Sequence, residues 1–147
     1  MAEHESFITK LKPETQQRVW TALRDNTPNM AYLEAHDWLE GVAPAYGVPF
    51  NQTCDVKFEN ALIYPLVHFR HKGTRAIMIV DGWYLPYRDI GVTQEMTAKL
   101  TKVSVRPIKE ATKLIEGCYS DLLVEVILRE RTLKSAAQWV RENPRLL

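Results

Sequence analysis

The sequence predicts an α+β fold: a small, mostly antiparallel sheet of three to five strands, with an N-terminal helical hairpin and C-terminal helices around it. Three observations lead there. Residues 62–80 contain two apolar runs rich in β-branched and aromatic side chains on either side of a polar segment with Gly73, the pattern of a β-hairpin. Val56 and Phe58 alternate with Asp55, Lys57 and Glu59, the two-residue period of a half-exposed strand. Both ends of the chain instead show helical spacing bounded by prolines, caps and glycines.

Taken in order, Pro13 opens a helix carrying Val19, Trp20 and Leu23 on one face and ending near Asp25. Thr27 as cap and Pro28 in the first turn start a second helix, with Met30, Leu33 and Trp38, which Gly41 stops. Pro44, Gly47 and Pro49 mark a loop into the sheet. A first strand follows at residues 55–59. The second, residues 61–70, contains Pro65, which cannot donate to a ladder and so belongs at an edge or a bulge. The third, residues 75–81, is apolar on both faces and reads as the centre of the sheet.

After Gly82, the run Trp83-Tyr84-Leu85-Pro86-Tyr87 predicts an irregular aromatic segment, and residues 93–100 a short helix. Residues 102–106 alternate again as a fourth strand. Beyond Pro107 comes a helix with Ile108, Ala111, Thr112 and Ile115 on one face, ended by Gly117. Residues 121–128 fit both periods and are assigned to a helix capped by Ser120. Residues 132–142 form the last helix, stopped at Asn143-Pro144. The segment starting at Thr132 resembles the first helix of a helix-turn-helix, but no recognition helix follows Pro144, so a DNA-reading helix is rejected there.

The length of 147 residues, with 46% hydrophobic and 25% charged, is that of one domain with a sizeable core and no disordered tract, spanning 1–147. Cys54 and Cys118 belong to no Cys-x-x-Cys pair; the expectation is two buried free thiols in a reducing compartment, without a disulfide framework or cysteine-based zinc site. Glu3 and Glu5 precede no apolar run, and no stretch reaches the roughly 20 apolar residues of a membrane span, so the expected setting is cytoplasmic, away from membranes. The net charge of +1 conceals a gradient. Residues 1–59 hold five Lys/Arg against nine Asp/Glu, and residues 99–147 hold ten against six. No run of like charges accompanies it, which is the pattern of solvated helix faces, though a basic end also suits an acidic partner such as nucleic acid.

Four constellations bear on function. At the hairpin tip, His68, Arg70, His71, Lys72 and Arg75 stand together without an acid; Arg70, Lys72 and Arg75 are candidates for phosphate contacts. Asp55, Lys57 and Asp81 offer carboxylates and a lysine for a Mg²⁺-dependent nuclease. The Asp55-Val-Lys57 fragment resembles the acid-x-Lys strand of restriction-endonuclease-like enzymes, but the lone acid of that pattern precedes the strand, whereas Asp81 follows it. The histidines, His36 beside Asp37 among them, form no metal-ligand spacing, and no nucleophile elbow, phosphate loop or dinucleotide fingerprint occurs; no cofactor or metal is indicated. Last, Trp83, Tyr84 and Tyr87 with Arg88 suit a docking surface or a base-stacking platform, or fill the core.

These readings converge on a small non-enzymatic binding protein, a regulator or inhibitor that docks onto a protein partner through the aromatic segment and the hairpin. Its edge strand with Pro65 would allow a homodimer. A nucleic-acid-binding module using the basic tip is the alternative, and a Mg²⁺-dependent nuclease the second alternative.

Overall fold

In the computed structural model, which describes residues 5–25, 28–48, 50 and 56–144, the chain is all-helical, and no strand occurs among the described residues. The α+β expectation is therefore wrong: residues 56–59, expected in the first strand, open a helix, and the largest error lies just beyond them. Residues 62–80, read as a hairpin, are the end of one helix and most of the next: α3 (Val56–His68) and α4 (Lys72–Ile79), joined by a short turn.

The reason is burial. α4 is the central helix, packed on α3 and on the helices Val105–Glu116 and Ser120–Ile127, so apolar residues are needed around most of its circumference. Ala76, Ile77, Ile79 and Val80 are all fully buried. A helix enclosed in this way yields the same continuous apolar run as a strand covered on both faces, and periodicity cannot separate the two. Pro65 sits inside α3 and is buried, which removes the expected edge strand and its dimer contact. Two carbonyls at the end of α3 find their donors far away in sequence. The side chain of Asn29 donates to Leu66 O at 2.8 Å and its backbone N–H donates to Val67 O at 2.8 Å. Gly73 is no turn residue but lies in the first turn of α4, where an added Cβ would stand 3.0 Å from Val126 Cγ1.

The ends of the chain follow the expectation more closely. α1 (Pro13–Arg24) starts on its proline and buries Val19 and Leu23. α2 (Tyr32–Val42) begins later than expected and runs through Gly41 into a 3₁₀ turn, Ala43–Tyr46. Gly47, at φ 70°, closes that turn; the expected cap Thr27 lies outside the described residues, as does Pro49. The indole N–H of Trp38 donates to Leu100 O at 2.8 Å and ties α2 to α6.

Beyond α4 the helix continues through a π-helical segment, Val80–Tyr84, into α5 (Leu85–Tyr87) and a 3₁₀ turn, Arg88–Ile90, so the aromatic segment is helical and not irregular. In a regular α-helix the ring of Pro86 would collide with the carbonyl of Gly82, and a widened turn relieves that clash. α6 (Gln94–Thr101) is capped by Thr93 and ends on Lys102 at φ 57°. The fourth strand expected at residues 102–106 is thus the connection from α6 into α7 (Val105–Glu116). α7 buries Ile108, Ala111, Thr112 and Ile115, the four residues assigned to its inner face. α8 (Ser120–Ile127) is helical, with Tyr119 and not Ser120 at the cap position, and Thr132 caps α9 (Leu133–Glu142). Cys118 is exposed, contrary to expectation, and Cys54 lies outside the described residues. No described helix is long and apolar enough to cross a membrane.

Candidate anion-binding cleft

Five of the helices with at least eight residues obey the dipole rule at their start. α1, α2, α3, α6 and α8 carry Glu14, Glu34, Glu59, Glu95 and Asp121 in the first turn, where a negative charge faces the positive end of the helix. The other three do not. α4, α7 and α9 have no acid in the first turn and carry Lys72, Arg106 and Lys134 there instead. These three helix starts line one cleft of about 600 Å³, joined by Arg70 from the α3–α4 turn.

The four cationic side chains are exposed, and none forms an ion pair or a hydrogen bond among the described residues. Two cations outside the cleft are held by acids, Arg88 by Glu116 at 3.2 Å and Arg131 by Glu125 at 2.6 Å. Glu110, one turn further along α7, is the one acid in the lining, and its Oε2 is hidden from solvent without a hydrogen-bond partner. Backbone donors add to the positive character. His71 Nδ1 accepts from Thr74 N–H at 3.2 Å, and Thr132 Oγ1 accepts from Ser135 N–H at 3.0 Å, but the side chain of Ser104 caps nothing in α7. The N–H groups of Lys72, Gly73, Arg106, Leu133 and Lys134 have no protein acceptor among the described residues. Unfilled N–H groups and a positive dipole end make a helix start an anion site, and here three meet. The floor is apolar, formed in part by Pro107 and the buried Leu133.

Of the residues singled out from sequence, the structure brings Arg70 and Lys72 to this cleft and leaves Arg75 out of it. Arg75 is only 8% exposed, its Nε has no hydrogen-bond partner, and burial pushes its pKa down. Trp83 and Tyr84 are buried, so they do not lie on a docking surface; the Trp83 ring packs against Phe58 at 4.8 Å and Tyr87 at 5.0 Å between centroids. Tyr87, Arg88 and Lys57 line a different cleft, of about 720 Å³, beside the π-helical segment. Its charges are mixed, and its Arg88 is held by Glu116.

Asp81 is buried, accepting from Ser6 Oγ at 2.5 Å and from Phe7 N–H at 3.3 Å. This carboxylate holds the N-terminal turn in place. Asp55, its intended partner in a metal site, lies outside the described residues. A different set could hold a divalent cation: His36, Asp37 and Glu40 on α2 offer ligand atoms within 4.8 Å of one another, with His36 Nδ1 already 3.6 Å from Glu40.

Arg106 and Lys134 were missed by sequence reasoning, although a signal was present. Pro107 and Thr132 both mark helix starts, and a cation next to such a start opposes the dipole. No protein-family model, curated protein or solved structure matches the chain.

Proposed function

We propose that this protein is a non-enzymatic binding module that recognises the phosphates of a nucleic acid through the cleft at the starts of α4, α7 and α9. The observation that carries this reading is the placement of Lys72, Arg106 and Lys134 at three converging helix starts, each opposed by its own helix dipole. Such an arrangement costs the free protein stability. An anion bound among the three would offset that cost, since it neutralises the side chains and accepts from the unfilled N–H groups together. Fluorescence anisotropy with a labelled single-stranded oligonucleotide tests it. Binding that weakens as salt rises, and that Lys134→Ala and Arg106→Ala each reduce, supports the reading; binding unaffected by both substitutions refutes it.

A second reading, self-association, is favoured by one observation on α2. Tyr32 and Leu33 are adjacent and 53% and 73% exposed, which suits a contact between two copies. Sedimentation of a dimer that Leu33→Glu dissociates would support it, and a monomer at all concentrations would remove it.

A further inference from the structure

We infer that the cleft holds the end of a nucleic-acid strand by its terminal phosphate monoester, with the following phosphates running along α7; this rests on the nucleic-acid reading above. Two observations beyond the helix starts lead to it. The first is shape. The cations and free N–H groups do not line up along one face but arrive from three helices around a single concavity. An internal phosphodiester has two non-bridging oxygens, one negative charge and a chain leaving on either side. A terminal monoester presents three free oxygens and about −1.5 to −2 charge at pH 7, and only one chain has to leave. Donors converging from three directions match the monoester.

The second observation is what leads out of the cleft. Arg106, Lys109 and Lys113 are all exposed on α7 at i, i+3 and i+7, which places them on one face of the helix. The stripe extends about 10 Å along the helix from the cleft. None of the three forms an ion pair among the described residues. A strand anchored by its end therefore meets a single basic track for its next phosphates, and α7 belongs to both the anchor and the track.

The test compares one short single-stranded oligonucleotide carrying a 5′-phosphate, a 3′-phosphate or hydroxyls at both ends, with the full-length protein and circular dichroism as the check on folding. The expected result is that one phosphorylated form binds about tenfold more tightly than the hydroxyl form, the worth of one charge-assisted hydrogen bond. Lys134→Ala should erase that preference. Lys113→Ala should weaken all three forms alike and leave the preference intact. Equal, salt-dependent binding of all three overturns the strand-end assignment and leaves the nucleic-acid reading standing, whereas no salt-dependent binding of any form overturns both. A phosphoserine peptide that competes as well as the phosphorylated oligonucleotide also overturns the assignment to a nucleic-acid end.

Discussion

His71 Nδ1 lies 3.2 Å from the backbone N–H of Thr74 and 2.7 Å from its hydroxyl, so a histidine caps α4 at the mouth of the basic cleft. An imidazole that accepts at Nδ1 must be unprotonated there. Burial and the neighbouring Arg129 both lower its pKa below the ordinary 6.5, burial being the larger cause. The sign of the pH dependence follows. Above about pH 6.5 both folded and unfolded forms hold His71 neutral, and its contribution to stability is complete. As pH falls below that value the unfolded chain takes up the proton first, so stability declines until His71 protonates in the folded protein as well. Urea unfolding at pH 7.5 and pH 5.5 should show this loss, and His71→Asn, which can still cap a helix, should lessen it. An identical pH dependence in that variant would contradict the role given to His71.

The three cations at helix starts predict a conflict between stability and binding. Lys134→Glu and Arg106→Glu each replace an unfavourable first-turn charge with a favourable one, and each should stabilise the free protein by about 0.3–1 kcal/mol. Both should abolish oligonucleotide binding. Thermal unfolding and anisotropy on the same samples decide the matter, and variants that lose stability would contradict the electrostatic account of the cleft.

Arg75 makes the opposite prediction. Its side chain is buried, and its Nε has no hydrogen-bond partner. A flexible apolar side chain of similar length should serve better at this position, so Arg75→Met is expected to stabilise the protein by roughly 1–3 kcal/mol while leaving oligonucleotide binding unchanged. Urea denaturation checks the first part and anisotropy the second. A destabilised variant would mean that the guanidinium makes favourable interactions that its geometry does not reveal.

The fates of Arg75 and of its neighbours show which parts of the molecule the sequence makes legible. α1, α7 and α9 bury only one face, and their spacing, prolines and caps place them correctly. α4 fails for a physical reason: it is enclosed, so Ile77, Ile79 and Val80 look like a strand core, and tertiary burial overrides the β preference of these residues. Pro65 points the same way, since a proline tolerated inside a buried helix resembles one at a sheet edge. The candidate site was half visible. Arg70 and Lys72 stand out as local charges, but their partners Arg106 and Lys134 lie more than thirty residues away and meet them only because α7 and α9 pack together and α7 packs on α4. The aromatic segment misled because polar-tipped aromatics suit an interface and a core equally well, and Trp83 sits at the junction of α3 and the π-helical segment.

The central claim is that unpaired cations gathered at three helix starts bind the phosphates of a nucleic acid. Its most direct test is the salt dependence of affinity for a single-stranded oligonucleotide, measured by anisotropy across a range of sodium chloride concentrations. With the four cations of the cleft and the two further lysines of α7 engaged, the slope of log Kobs against log salt should be about −4, and Lys72→Ala or Lys134→Ala should each reduce its magnitude by about 0.7. A slope near zero, or one that these substitutions leave unchanged, would contradict the account.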